Sequence, residues 1–270
     1  MTNIDTNTVP IHCYDFNEIR EKSFVHIIGK RGTGKSNMIK TLIKRFNDIE
    51  RKVVISPQEK YNRFYSDYSI NTNTNIDIYE DYSSEIIATL LAEQKKDPSR
   101  RIILALDDCI CNKAITQQYI MQELLTNYSI YNITLMLATQ TANINMYYSD
   151  YVTHIIMLKN HNIHERKKLY DRYATFFSTF DLFNLIFSEV TKNYDALLIN
   201  NFGNEFNDKV FWCNSEKNTG TKNVINLIQE NDNTTDDNDV GNVVVNNDND
   251  VVNDSWLGAI KNYLCCSWLF

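Results

Sequence analysis

Phe24-Val25-His26-Ile27-Ile28-Gly29-Lys30-Arg31-Gly32-Thr33-Gly34-Lys35-Ser36 is a short apolar run that breaks into a glycine-rich turn and ends on a lysine and a hydroxyl. Phe24–Ile28 reads as a buried strand stopped by glycine. Beyond the turn, Met38, Ile39, Leu42, Ile43 and Phe46 recur at the spacing of an amphipathic helix over Lys35–Phe46. Residues 29–36 fit the pattern G-x-x-x-x-G-K-[ST]. Wrapping a phosphate chain needs backbone N–H groups that face inward, and hence glycines that tolerate positive φ and close approach. The helix that begins near Lys35 directs its positive end at the same place. Gly29, Lys30, Arg31, Gly32, Thr33, Gly34, Lys35 and Ser36 are therefore expected to hold the phosphates of ATP or a close relative. Lys35 supplies a mobile cation, and the Ser36 hydroxyl is a ligand for Mg2+.

A second run, Ile102-Ile103-Leu104-Ala105-Leu106, ends in Asp107-Asp108. An apolar strand that delivers carboxylates beside a phosphate loop supplies two things: a metal ligand and an acid that polarises the attacking water. Asp107 is assigned to the metal and Asp108 to the water. A third run, Ile133–Ala138, ends in Thr139-Gln140. A polar residue at that point is placed to orient the water or sense the terminal phosphate; Gln140, or Thr139, takes that role.

Between and beyond these runs, strands alternate with helical periods. Strands are expected at Val53–Ser56, Ile76–Tyr79, Val152–Leu158, Tyr194–Asn200 and Lys209–Cys213. Helices are expected at Ser83–Gln94 with a cap at Ser84, at Ile115–Tyr128, and over 163–188; residues 58–75 read as loop. The fold class that follows is α/β: a P-loop NTPase with a mostly parallel sheet and helices on both faces. The chain divides into a polar lead-in (1–22), the P-loop ATPase domain (23–213), a disordered Asn/Asp-rich linker (214–254) and an apolar docking segment (255–270).

The net charge of −7 is unevenly spread, since 24 basic and 25 acidic residues precede Cys213, against 3 and 9 from there on. The charge is thus a property of the tail and says nothing about a nucleic-acid partner for the body. Six cysteines form no CxxC pair, so neither a zinc site nor a disulfide scaffold is expected. MTNIDTNTVP lacks the basic and apolar regions of a signal peptide, and no apolar run is long enough for a membrane span. His161-Asn162-Ile163-His164 has metal-like spacing without companion ligands and reads as a solvated turn. Cys109-Ile110-Cys111 reads as local packing. Arg166-Lys167-Lys168 with Arg172 reads as a solvated basic face, with a phosphate-backbone contact as the alternative, and the aromatics of 170–187 read as core. Trp256–Phe270 reads as a segment that docks on a partner or on the body.

Taken in order, FVHIIGKRGTGKS, VVISPQE, IILALDDC, ITLMLATQ and YVTHIIML resemble the genome-packaging ATPases of large nucleocytoplasmic DNA viruses, within the FtsK/HerA superfamily. The likeness covers roughly residues 20–212. It implies a RecA/FtsK-like core in which the acidic strand does not adjoin the P-loop strand, assembly into a homo-oligomeric ring, and ATP-driven translocation of double-stranded DNA into a capsid during virion assembly. It also implies ATP and Mg2+ as cofactors, capsid or assembly proteins as partners of the C-terminal segment, and a location at the viral factory in the host cytoplasm or in the virion. Mapped by position, Gly29, Gly32, Gly34, Lys35 and Ser36 match the family's phosphate loop, Asp107 and Asp108 its acids, and Gln140 its sensor.

The chain departs from that family in one respect. Relatives carry arginines near the strand that follows the acidic strand's helix, and in the loop after the sensor. Here no arginine lies between Arg101 and Arg166. Lys113, Lys159, Arg166 and Arg172 are the candidate replacements, although lysine lacks the planar fork of arginine. The alternative function is a divergent nucleotide-binding virion or assembly protein with slow or no hydrolysis. A nucleotide kinase is disfavoured by the lack of an arginine-rich lid.

Overall fold

The computed structural model describes residues 9–110, 113–142, 146–216 and 219–224. In chain order the first half comprises β1 (Pro10–His12), β2 (Phe24–Ile28), α1 (Lys35–Arg45), β3 (Arg51–Ile55), α2 (Glu59–Asn62), α3 (Phe64–Thr72), β4 (Asp77–Tyr79), α4 (Ser84–Lys96) and β5 (Ile102–Asp107). The second half comprises α5 (Lys113–Thr116), α6 (Tyr119–Asn127), β6 (Ile133–Thr139), α7 (Met146–Ser149), β7 (His154–Leu158), α8 (Ile163–Tyr173) and α9 (Phe180–Val190). It closes with β8 (Ala196–Asn200), α10 (Phe206–Lys209), β9 (Val210–Cys213) and β10 (Thr221–Asn223).

Eight strands form one sheet in the order β4-β3-β5-β6-β2-β7-β8-β9. The first six run parallel; β8 lies antiparallel between β7 and β9, so that β9, at the edge, points the same way as the first six. Alternation along each strand divides the core into two layers. On β5, Ile102, Leu104 and Leu106 pack with α4 and α6, whereas Ile103 and Ala105 face α1. Carrying that alternation one step further puts Asp107 on the α1 side. On β2, Val25 and Ile27 face α1, while Phe24 and Ile28 face the layer containing α8 and α9. Met38, Ile39, Leu42 and Ile43 bury one stripe of α1, with Lys44 and Arg45 at its last turn, the end where cations suit the helix dipole.

Three local readings are corrected. Residues 58–75 hold two helices rather than a loop. Both carboxylate oxygens of the buried Glu59 accept backbone N–H bonds at the start of α3, from Tyr65 (3.0 Å) and Ser66 (2.7 Å). The cap of α4 is Ser83, whose side chain accepts from Glu85 N–H. The period over Ile115–Tyr128 breaks between α5 and α6, where Gln118 has extended backbone. At the ends of the body, β10 pairs antiparallel with β1, within stretches read as linker and lead-in. Cys111 and residues 225–270, which include Cys265, Cys266 and Trp256–Phe270, lie outside the described residues. Among the described residues no helix is long and apolar enough to cross a membrane.

Candidate functional site

The turn after β2 runs from Gly29 to the start of α1 at Lys35. Gly32 and Gly34 adopt φ of 80° and 105°, with nothing within 4 Å of where a Cβ would stand. Gly29 is needed for another reason: a Cβ there would press on Thr33 Oγ1 and come within 2.8 Å of Leu158 Cβ. Thr33 closes the turn, with its N–H and hydroxyl both donating to Lys30 O. Lys30 and Arg31 are exposed. Lys35 is buried, and its Nζ donates to Gly29 O (2.9 Å) and Lys30 O (3.3 Å).

Across the sheet, β6 stands between β2 and β5, yet the ends of both outer strands meet over it. Ser36 Oγ donates to Asp107 Oδ2 at 2.7 Å, and Lys35 Nζ pairs with Asp108 Oδ2 at 3.1 Å. Asp108 takes φ of 53°; aspartate tolerates this left-handed region better than most residues, at some cost. Its N–H is held by Ala138 O, in the strand that leads to Gln140. Gln140 is exposed and its Nε2 reaches the same Asp108 oxygen in a long contact of 3.4 Å. Six of the residues singled out from sequence thus converge: Gly29, Lys35, Ser36, Asp107, Asp108 and Gln140.

Sequence reasoning missed two features. The first is Tyr65 of α3, almost wholly buried, whose hydroxyl donates to Asp107 Oδ2 at 2.8 Å. Burial pushes the Asp107 carboxyl above its ordinary value, while the bonds from Ser36 and Tyr65 act against that rise. Burial and the neighbouring Asp107 charge push the Tyr65 phenol far up, which keeps it a donor. The only signal for Tyr65 was an aromatic pair, Phe64-Tyr65, in a polar stretch. The second is a buried chain through His26. Its Nε2 meets Thr139 Oγ1 (2.9 Å), its Nδ1 meets Tyr173 OH (2.9 Å), and Thr139 Oγ1 donates to Thr141 O. Thr139 is thereby committed to the sheet interior, and Gln140 is the member of the pair that faces the acids. Burial, aided by the Arg172 charge, holds His26 down to about 3.

The donor chemistry suits a magnesium nucleotide. Ser36 Oγ and the Asp107 carboxylate are hard oxygen donors brought together from facing elements, and Mg2+ held through phosphates would need only such a sparse protein set. The open space beside Gly32 and Gly34 leaves their backbone approachable. The remaining candidates lie elsewhere on the chain. Arg166 bonds Asn160 O, Asn184 Oδ1 and Ser188 Oγ, so it ties α8 to α9. Lys167 pairs with Asp171 and Lys168 with Glu165. Tyr173, Phe177, Phe183 and Phe187 are core, and Cys109 is buried. His161 and His164 are exposed, and Asn162 caps α8 through the N–H groups of His164 and Glu165. Lys159 is exposed; the Lys113 side chain and residues 143–145, in the loop after β6, lie outside what is described.

Protein 075L of Invertebrate iridescent virus 6 is 31% identical to this chain over 214 residues, spanning 73% of this chain and 81% of that one. This chain belongs to the 075L family. Protein 088R of Invertebrate iridescent virus 3, at 28% over 216 residues, and protein L437 of Acanthamoeba polyphaga mimivirus, at 27% over 220, are similar across about three quarters of its length. No protein-family model matches. Among solved structures, the genome-packaging NTPase B204 of Sulfolobus turreted icosahedral virus 2, in complex with ATP-gammaS, superposes with a TM-score of 0.55 at 14% identity. The match covers 72% of this chain and 98% of that one. The DNA-packaging ATPase B204 of Sulfolobus turreted icosahedral virus gives the same TM-score at 17% identity. This 075L-family chain therefore has the α/β P-loop fold of the viral packaging NTPases, the resemblance read from its motifs.

Proposed function

We propose that this protein is the ATPase subunit of a motor that moves double-stranded viral DNA into the capsid during virion assembly. The observation that carries the reading is the meeting of Lys35 and Ser36, from the P-loop, with Asp108 and Asp107, from a strand two places away in the sheet. The loop residues Gly29 to Ser36 would wrap the phosphates of ATP, with Ser36 and Asp107 holding Mg2+. A metal held by these two residues would supply neutralisation of the phosphate charge. Lys35, now held by loop carbonyls and Asp108, is a buried cation for which a polyphosphate would compete. Asp108 would take the proton of a water that Gln140 would orient; the contacts of Lys35 and Gln140 to Asp108 Oδ2 support this reading. A homo-oligomeric ring and a DNA track through it are part of the proposal and are supported by the fold shared with B204.

A second reading is favoured by the lack of arginine between Arg101 and Arg166. A trans-acting arginine contributes about 10³–10⁵ in turnover in the GTPases where such fingers were measured. Without one, the chain would be an assembly protein that holds nucleotide as a structural ligand. Steady-state ATPase with and without double-stranded DNA, beside calorimetry of Mg·ATP binding, separates the two. The motor shows DNA-stimulated turnover that Lys35→Ala removes. Tight binding with negligible turnover supports the structural ligand. Full activity in Lys35→Ala would sink the site assignment.

A further inference from the structure

The proposed site gives the Ser36 hydroxyl two duties. In this structure it donates to Asp107 Oδ2, and in the proposed function it ligates the metal through the same oxygen. A hydroxyl turned to a cation offers its lone pair there and directs its proton elsewhere. The orientation of Asp107 must then be kept by another donor, and the structure provides one. Tyr65 reaches the same Oδ2 at 2.8 Å from α3, an element that belongs neither to the P-loop nor to the acidic strand.

Tyr65 is itself held in place. Its backbone N–H bonds Glu59 Oε2 and the next N–H bonds Glu59 Oε1, so the buried Glu59 carboxylate pins the first turn of α3. Its ring packs edge-on against Phe64 at 5.1 Å and sits in the α1-side core layer with Ile39 and Leu42. A ring held in place fixes the hydroxyl oxygen, and only the O–H bond is left to turn toward its acceptor. Glu59 follows β3, the neighbour of β5, and Tyr65 packs in the layer on the α1 side, the side on which Asp107 lies.

We propose that Tyr65 is a positioning residue for the metal-holding carboxylate Asp107, and that Glu59 sets Tyr65. The inference rests on the proposed metal role of Asp107. Outer partners that orient a ligating carboxylate change metal affinity about 10–100-fold when lost. They leave contacts made only to the phosphates alone.

The test uses the full chain, with Mn2+ followed by electron paramagnetic resonance in the presence of ADP, and with ADP binding in EDTA measured separately. Tyr65→Phe should weaken Mn2+ about 10-fold or more and leave metal-free ADP affinity unchanged. Glu59→Gln, which keeps one acceptor for α3, should act in the same direction but less, and it serves as the readout if Tyr65→Phe gives no cooperative melting. Unchanged Mn2+ affinity in the folded variants, or an equal loss of Mn2+ and metal-free ADP, overturns the inference and leaves the parent reading standing. A wild-type chain that binds no Mn2+ with ADP overturns both.

Discussion

At the scale of single residues, the turn between β2 and α1 depends on three glycines for two different reasons. Gly29 is short of room, since Thr33 and Leu158 crowd the place a Cβ would take, whereas Gly32 and Gly34 are short of allowed φ. Gly29→Ala should cost about 1–3 kcal/mol of stability as an overpacking change. Gly32→Ala should cost about 1–2 kcal/mol through backbone strain alone. Urea unfolding of both checks this, and a Gly29→Ala as stable as wild type would show that Leu158 can move aside. These glycines, the lysine, the hydroxyl and the acids were legible because each lies in a contiguous pattern whose chemistry depends on its immediate neighbours. Tyr65 was not, because it reaches Asp107 across 42 residues and its own segment shows no apolar period. Thr139 was left open beside Gln140, since nothing local revealed that His26 would claim it.

Among elements, long apolar strands and the amphipathic α1 declared themselves, while short polar ones did not. Only Tyr65 is buried on α3, and β10 reads Thr-Lys-Asn. Such pieces are fixed by partners rather than by propensity. β10 is secured by Lys222, which pairs with the nearly buried Asp195 at 2.6 Å, donates to Val190 O and lies over Trp212. Asn214 also bonds Asp195. Lys222→Ala should therefore destabilise the protein by about 2–3 kcal/mol, because it strips a charged partner from a carboxylate that stays buried. Equilibrium unfolding at neutral pH measures this; a change below about 0.5 kcal/mol, the size of an ordinary surface substitution, would mean that β10 is not anchored there.

For the whole molecule, the order of the strands could not be read from local pattern; the interposed β6 came from family resemblance. Once the sheet is assembled, it buries two histidines on adjacent parallel strands, His26 on β2 and His154 on β7. Burial lowers them to about 3 and about 4. The unfolded chain takes up those protons near pH 6.5 and the folded one does not, so stability falls as pH drops below that value. The slope should approach about 1.4 kcal/mol per pH unit for each histidine, down to roughly the folded values. Asp107, shifted upward, acts with the opposite sign at the acid end. His26→Gln should flatten the profile between pH 6 and 4, as followed by thermal melting; an unaltered slope would mean that protonated His26 is tolerated inside. The intervening β6 has one more consequence. Strands lie about 4.8 Å apart, so this spacer fixes how wide a jaw opens between loop and acid. Ala138 aligns with Ile27 on one side and Asp107 on the other, and its methyl stands out of the sheet into the layer that holds α1. A bulkier side chain there would press on α1, which begins at Lys35 and Ser36, and so shift the P-loop from a residue outside it.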